Sequence, residues 1–466
     1  MNVWIGVMRM KLPTADSRLT IRPKQEIMKK TFLYYLLAVT LIASCRKDTH
    51  VFDKSPDERI NETLTAYQQA ISGSAYGWNG NLVTGSGGFY RFYFSFDNNN
   101  RVKMYSDWDS STASVLKESS YRLKALQQPS LIFDTYSYIH ILADPDAGVN
   151  GGTYGVGLKS DFEFRIDTVT ADSISLTGRQ NGSKLSLRKA TQGDLAVWQN
   201  KQVQAGVVSF RNFWKFLLYW RRLNYGGTQY ELQFDSTSKN VTISWMAGGQ
   251  AQTVKRGYYF WANGVSFSDP VINGSQTVPG FTITGFNGST QVMNVTVNGT
   301  AATITGYNGP PINPDVKNAA ARWAAQSGAG DNYWISVDGF HVNGVDDAYN
   351  IKSLKTDTTK YFYLLYKTNP GSVDAFFPVF LDSAKNSLVA NYRSWLVMTI
   401  TPSTGRTRFA ETSQAPSDPW PAGPAGDTRT QMLNPNGFYF VQSSSYSYDM
   451  VSVADAKVWL TWYWIF

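Results

Sequence analysis

The chain has 466 residues, with 43 Lys/Arg against 35 Asp/Glu and a formal net charge of +8 at pH 7. Residues 1–45 hold seven Lys/Arg and two Asp/Glu, so only +3 belongs to the rest of the chain, where the charges are dispersed. A nucleic-acid-binding domain clusters its positive charge on one face, so the composition argues against nucleic acid as a partner. Aromatic residues make up 15% of the chain and charged residues 17%, a mixture typical of an exported, mainly β protein with many turns.

The first distinctive segment is residues 28–45. Two lysines precede an apolar run, residues 32–43, which is too short to span a bilayer but has the length of a signal-peptide hydrophobic region. Small residues then lead to Cys45, the single cysteine of the chain, in a pattern that resembles the lipobox of bacterial lipoproteins. We therefore predict a lipoprotein signal peptide over 28–45, lipidation of Cys45, and a lipid-anchored position at the outer-membrane surface, which Arg46 favours. Residues 1–27 are predicted to be an artefactual leader.

The segment after the signal predicts a polar tether over residues 46–54 and then a first module over 55–192. Ser55 and Glu58 form a capping-box pattern, and apolar residues at helical spacing follow as far as Ile71. From Phe89 the apolar spacing changes to two, and short strands alternate with turns. One of these predicted strands covers residues 136–142. A helix followed by such hairpins predicts a sheet curled into a barrel or half-barrel, or a sandwich.

Two further modules are predicted. Residues 193–308 repeat the strand–turn–strand pattern of the first module, which suggests two related copies. Residues 309–466 begin with a linker and an alanine-rich helix over 316–326, and continue as a C-terminal β domain. The aromatic end, residues 458–466, resembles an outer-membrane barrel strand, but the chain lacks the regular ladder of such barrels. We expect a core strand there.

The segments 133–145, 160–164 and 176–185, together with the helix near residue 58, resemble a Bacteroidota lipoprotein family of unknown function, domain-of-unknown-function family 4302. The resemblance covers about residues 50–300. It implies a surface-exposed accessory lipoprotein that stands beside SusC/SusD-like uptake proteins, and it implies no catalytic residue. The family pattern has Gly at the position that Ser160 occupies in this chain. The sequence therefore does not settle whether a tight turn forms at this position.

The chain lacks the sequence motifs of zinc proteases, serine hydrolases and nucleotide-binding loops, and no cofactor is expected. His140 is expected to be a hydrogen-bonded sheet histidine. Asp144, Asp146 and Asn150 place oxygen atoms at alternate positions, as calcium loops do, but they fail the EF-hand template, and a plain turn is the other interpretation. No other metal site is predicted.

Two acidic pairs, Asp107 with Asp109 and Asp346 with Asp347, leave a surface hydrolase as an alternative, because glycosidases need two carboxyl groups facing each other across a cleft. A structural or adhesive surface protein is a second alternative.

Aromatic residues near loops or strand ends, where we expect side chains to be exposed, are the main binding candidates, because exposed aromatic faces stack on sugar rings. These are Trp78, Trp108, Trp245, Trp261 and Trp420. Asp-Ser/Thr steps resemble the O-glycosylation sites of exported Bacteroidota proteins, although they are also ordinary turn sequences. The predicted acceptors are Thr168, Ser173, Ser236, Thr358 and Ser383. The sequence thus favours a non-catalytic binding component of a nutrient-uptake system, with glycan or peptide as cargo.

Overall fold

The computed structural model describes residues 31, 32, 34 and 35 and residues 54–465, apart from 331, 356–358, 383–386, 415–418 and 445. Cys45, Thr358 and Ser383 therefore lie outside the described residues. The chain divides into two compact units, residues 1–61 and 62–466, and the sheets described below belong to the second. Within the described residues, none of the helices has both the length and the apolar character needed to cross a membrane.

The first module is a helix followed by a closed eight-stranded antiparallel barrel. Its strands follow one another around the barrel in chain order, and Trp78 on β1 lies opposite Lys189 on β8 to close it. The elements are α1 (Pro56–Ser72), β1 (Trp78–Val83), β2 (Phe89–Phe96), β3 (Arg101–Ser106), β4 (Lys117–Ala125), β5 (Pro129–Phe133), α2 (Tyr138–Ile141), α3 (Ala147–Asn150), β6 (Glu163–Val169), β7 (Ser173–Gly178) and β8 (Lys184–Lys189). Aromatic side chains fill the barrel, and Ile71 of α1 joins this core.

The second module repeats this plan. Its elements are α4 (Gln192–Gln199), α5 (Gln202–Phe210), a 3-10 turn (Arg211–Lys215), β9 (Trp220–Tyr225), β10 (Thr228–Asp235), β11 (Asn240–Ala247), β12 (Gln250–Trp261), β13 (Gly264–Asn273), β14 (Gln276–Asn287), β15 (Val292–Val297) and β16 (Thr300–Tyr307). The strands again form a closed barrel in chain order, with β16 paired to β9. Val203, Val207 and Phe210 of α5 belong to its core.

The C-terminal module is a ten-stranded sheet. Its elements are α6 (Val316–Gly328), β17 (Tyr333–Ser336), β18 (His341–Val342), a 3-10 turn (Ile351–Ser353), β19 (Thr359–Lys367), β20 (Asp374–Asp382), β21 (Ser387–Val389), β22 (Ser394–Thr401), β23 (Arg406–Gln414), α7 (Pro424–Met432), β24 (Phe438–Ser444), β25 (Ser447–Ser452) and β26 (Val458–Ile465). An additional pairing joins β17, at one end of the strand path, to β26, which lies next to β18 at the other end. Trp323 of α6 is fully buried in the core of this module.

The architecture confirms the predicted fold class, a mainly β protein with two related barrel modules and a C-terminal β domain. The Ser55–Glu58 capping box is present, with the Glu58 amide donating to Ser55 Oγ at 3.2 Å and Glu58 Oε2 accepting from the Ser55 amide at 2.9 Å. The C-terminal segment is a core strand as predicted, since Leu460 and Trp462 are fully buried. The exact domain limits stay predictions.

The predicted strand over residues 136–142 is wrong. Tyr138–Ile141 is the short helix α2. The Ser137 amide donates to His140 Nδ1 at 3.1 Å, and the His140 amide donates to the Ser137 carbonyl at 2.9 Å. These local bonds offer the backbone an alternative to a sheet ladder, and β5 already pairs with β4 and β6.

Candidate functional site

The outer face of the C-terminal sheet carries an open, largely aromatic depression, which we call the aromatic groove. It consists of two adjoining hollows of about 390 Å³ and 310 Å³. The residues that define it are Tyr333, Tyr363, Leu365, Phe377, Arg393 and Trp395. Concave, mainly apolar surfaces with a few polar groups are the usual form of ligand sites.

Strand alternation places these side chains on the outer face. Successive residues of a strand point to opposite faces. Trp334, Tyr366 and Phe376 lie in the core of the module, whereas their strand neighbours Leu365 and Phe377 belong to a separate cluster outside it. Leu365 is paired with Ile335 on one side and with Phe377 on the other. The groove therefore rests on paired strands, with Arg393 in the loop that directly precedes β22.

Arg393 is the cation at the centre of the aromatic groove, since it lines both hollows. Its guanidinium carbon lies 4.4 Å from the Phe377 ring centre and 5.3 Å from that of Trp395. Contact with the two aromatic rings stabilises the charge and orients the planar group. The Arg393 Nε is buried and has no hydrogen-bond partner.

Lys367, the second cation of the groove lining, is hydrogen-bonded to backbone carbonyl groups. Its Nζ donates to the carbonyls of Ser327, Gly330 and Asn332 at 2.9, 2.5 and 2.7 Å. These bonds attach β19 to the last turn of α6 and to the segment that follows it. Lys367 thus contributes positive charge to the groove, but its ammonium group makes its hydrogen bonds within the protein.

Burial and the neighbouring Tyr333 hydroxyl raise the pKa of Tyr363, so its phenol stays protonated and able to donate.

The five tryptophans predicted from the sequence do not form one site. Trp78 and Trp245 are 1% and 5% exposed, inside the first and second barrels, so the expectation that they are exposed is wrong. Trp108 packs against the Tyr90 ring, Trp261 against Trp198 where the two barrels meet, and Trp420 against Phe376.

The predicted calcium-loop residues lie in the turn around α3. Asp144 accepts from the Tyr136 hydroxyl at 2.6 Å, and Asp146 accepts from the Gly148 amide at 2.8 Å. The Asn150 amide group donates to the Asp144 carbonyl at 2.9 Å. The three side chains therefore shape the turn itself, and the described residues include no cluster of three or more potential metal-ligating side chains.

Each residue of the two acidic pairs forms hydrogen bonds or an ion pair with neighbouring groups. Asp107 is fully buried and forms an ion pair with Lys239, joining the two barrels. Asp109 accepts from the Thr112 amide at 2.7 Å, which closes a local turn. Asp346 pairs with His341 at 2.6 Å, and Asp347 accepts from two backbone amides of the following 3-10 turn. Their hydrogen bonds are those of structural carboxylates.

Of the predicted glycosylation acceptors within the described residues, Thr168 and Ser236 are exposed and Ser173 is half-buried. The Ser173 hydroxyl lies 2.8 Å from that of Thr170. The acceptors stay predictions.

Residues that carry the family resemblance have structural roles in the first barrel. Asp161 is buried, and its carboxylate accepts from the amides of Gln180, Asn181 and Ser183 at 2.8, 2.9 and 3.0 Å. A Cβ at Gly178 would overlap this carboxylate, which explains the glycine. The left-handed backbone that the preceding turn needs is supplied by Lys159, with φ +55°, rather than by Ser160.

The family described as Domain of unknown function (DUF4302) matches residues 48–285. The chain belongs to this family. The DUF4302 match takes in the first barrel and the second barrel as far as β14, so the aromatic groove lies beyond it.

No curated protein matches the chain. Among solved structures, isotype 1 transferrin binding protein B from serogroup B Neisseria meningitidis is 8% identical, with 83% of this chain and 73% of that chain covered and a TM-score of 0.14. TolB from Acinetobacter baumannii is 10% identical, with 64% and 78% covered and a TM-score of 0.11. These scores are too low for either likeness to carry an argument about fold or function.

The sequence contained a signal for the groove that the search for loop tryptophans missed. Residues 361–366 read Tyr-Phe-Tyr-Leu-Leu-Tyr, apolar or aromatic at both odd and even positions. A strand with one solvated face alternates apolar and polar residues, so this run indicates an apolar outer face. Only the pairing with β17, β20 and β22 shows that four strands contribute to one surface.

Proposed function

We propose that this DUF4302 protein is a lipid-anchored, non-catalytic glycan-binding protein of the outer-membrane surface, and that the aromatic groove binds its ligand. The observation that carries the proposal is the open groove on the C-terminal sheet, built from Tyr333, Phe377 and Trp395 on paired strands. The function is binding rather than hydrolysis, because the carboxylates considered for catalysis are engaged in structural contacts.

Glycan is the ligand class that suits this chemistry. The C–H face of a pyranose ring packs on an aromatic face, while its hydroxyls need donors and acceptors nearby. The Tyr333 and Tyr363 hydroxyls, the Asn369 amide group and the Arg393 guanidinium supply them around the groove. A separate hollow, of about 370 Å³ between the second barrel and the C-terminal module, is lined by polar side chains such as Asn240 and by no aromatic ring, so it suits a sugar ring less well.

The location and the biological role rest on the sequence. The predicted lipobox at Cys45 supports the anchor. The resemblance to Bacteroidota lipoproteins that stand beside SusC/SusD-like uptake proteins supports a role as an accessory component of nutrient uptake. Under this proposal the groove captures extracellular glycan before it is passed to such an uptake system.

The proposal is tested with the soluble chain that begins at Arg46. Glycan and peptide arrays are probed first, and each ligand found is titrated while tryptophan fluorescence is followed. We expect a glycan to bind and to change the Trp395 signal, and Trp395→Ala and Phe377→Ala to weaken binding at least tenfold.

The matched control is Tyr154→Ala, because Tyr154 is an aromatic residue 76% exposed in the first module, away from the groove. It is expected to bind as the wild type does. Absence of glycan binding, or binding that ignores both groove substitutions, would overturn the proposal, and binding of peptides alone would assign the groove to a different ligand class.

A further inference from the structure

Arg393 has no ionic partner in the part of the chain that the structure describes. Two other buried or half-buried arginine side chains form ion pairs with glutamates. Arg222 pairs with Glu231 at 3.2 Å, and Arg429 pairs with Glu411. Arg393 instead lies against two aromatic rings, with its Nε buried and unpaired.

The charged side chains described in the lining of the aromatic groove are all positive. Its described lining contains two cations, Arg393 and Lys367, and no Asp or Glu. The Lys367 ammonium is held by three carbonyl groups, so its charge is present but its donors are occupied. Arg393 is therefore the cation with donors available to a ligand, and the groove is complementary to a negative charge.

We propose that the aromatic groove selects acidic glycans, those whose sugars carry a carboxylate, and that Arg393 binds this carboxylate. The inference rests on the proposed glycan-binding function and names its ligand class. A guanidinium matches a carboxylate through two parallel hydrogen bonds, and such charge-assisted pairs are roughly twice as strong as neutral hydrogen bonds. Because the Nε is buried, this pair uses the two terminal nitrogens of the guanidinium.

The setting of Arg393 favours this pairing over simple hydration. Phe377 and Trp395 hold the guanidinium in a defined place, so little side-chain freedom is lost when the ligand binds. Their rings also exclude water from one face of the group, which strengthens the interaction with an arriving anion. The neighbouring Tyr333 and Leu365 provide the apolar surface on which the sugar ring itself packs.

A saccharide is favoured over an acidic peptide because the groove presents a broad sheet face rather than an unpaired strand. β20 is paired on one side with β19 and on the other with β21 and β22. Few backbone groups are thus left for a peptide strand to pair with along most of its length, whereas the ring faces remain available.

The test compares three probes on the soluble chain from Arg46: a galacturonic acid hexamer, the neutral galactose hexamer of equal length, and an oligoglutamate peptide. Affinities are measured by isothermal titration at low and at moderate salt. We expect the uronic acid hexamer to bind at least tenfold more tightly than the neutral hexamer, with a preference that falls as salt rises. The peptide is expected to bind more weakly than the acidic hexamer.

The substitutions separate charge from stacking. Arg393→Gln should abolish the preference for the acidic hexamer, and Arg393→Lys should retain part of it, because a lysine keeps the charge but not the planar pair of donors. Trp395→Ala should weaken both hexamers. Arg408→Gln is the matched control, since Arg408 is an exposed arginine on β23 of the same sheet, outside the groove.

The outcomes distinguish this inference from the proposed function. Equal affinity for both hexamers, or a preference unchanged in Arg393→Gln, would overturn the selection of acidic glycans while leaving glycan binding intact. Tighter binding of oligoglutamate than of the acidic hexamer would reassign the groove to acidic peptides. If neither these hexamers nor any arrayed glycan binds, the proposed function falls together with this inference.

Discussion

His140 shows how a single side chain acquires its role from its surroundings. Burial lowers the pKa of His140 below its ordinary value of 6.5, and the Lys117 charge lowers it slightly further, against the opposing effects of the Phe133 carbonyl and Asp134. The neutral ring is used on both sides, since Nδ1 accepts from the Ser137 amide at 3.1 Å and Nε2 lies 3.2 Å from the Phe133 carbonyl. A proton on Nδ1 would remove the first bond.

We predict that His140 makes the protein less stable in acid. Between the lowered pKa of the folded state and 6.5, the unfolded chain binds more protons than the folded chain, so the free energy of unfolding rises with pH in that window. Acidification through it therefore costs stability, and His140→Gln should reduce the slope of stability against pH below the ordinary histidine pKa of 6.5. Urea denaturation at several pH values measures this slope. A slope unchanged by the substitution would contradict the prediction.

The tryptophans illustrate the limit of reasoning from single residues. Position near a turn or strand end suggested exposure for Trp78 and Trp245, yet both are buried in barrel cores. A tryptophan at the end of a strand points inward or outward according to the pairing of that strand, which its own sequence neighbours do not settle. Trp395 is half-buried in the groove for the same reason.

At the scale of the element, the turn between β7 and β8 depends on one carboxylate. Asp161 accepts three backbone amides and the Ser183 hydroxyl, the last at 2.5 Å. The bond from the Ser183 amide is buried and the other two amide bonds are half-buried. This side chain therefore satisfies one buried backbone amide, which would otherwise lack an acceptor, and two partly exposed ones. The acidic residue of the resemblance segment is thus explained by structure rather than catalysis.

We predict that Asp161→Ala destabilises the first barrel by about 1–3 kcal/mol, because the buried Ser183 amide is left without an acceptor. Asp161→Asn should be milder, since one side-chain oxygen remains. Unfolding in urea, followed by circular dichroism, measures the change. Asp172→Ala, on the exposed turn between β6 and β7, is the control and should stay within about 0.5 kcal/mol of the wild type. Equal effects of Asp161→Ala and Asp172→Ala would refute the assigned role.

At the scale of the whole molecule, one plan recurs. Each of the first two modules is a helical segment followed by an eight-strand meander that closes on itself. In the C-terminal module β17 also pairs with β26, the last strand in the chain. Polar groups also link the modules. Asp107 pairs with Lys239 between the two barrels, and the Tyr219 hydroxyl donates to Asp449 at 2.6 Å between the second barrel and the C-terminal sheet.

The membrane anchor is a prediction about the complete chain. Cys45→Ala should release the protein from the membrane fraction and abolish palmitate labelling, because signal peptidase and the acylating enzymes act on that cysteine in a lipobox. Fractionation and metabolic labelling of cells that express each form provide the measurement. Cys45→Ala protein that stays in the membrane fraction with unchanged labelling would rule out the lipoprotein assignment.

Local chemistry in the sequence was sufficient for the fold class, the capping box at Ser55, the alanine-rich helix and the core character of the last strand. Each of these depends on the spacing of side chains along the chain, which a helix or strand converts directly into a face. The mainly β character and the relation between the two barrel modules follow from that spacing.

Only the tertiary structure determines whether each face of a strand points to the core or to solvent, and which group pairs with each charged side chain. Closure of the barrels buries Trp78 and Trp245. Asp107 pairs with Lys239, 132 residues away in sequence, where the two barrels meet. Pairing of β17, β19, β20 and β22 assembled the aromatic groove, and the chain folded so that Arg393 met aromatic rings instead of a carboxylate. Contacts of this kind join residues distant in sequence, and so only the folded chain contains them.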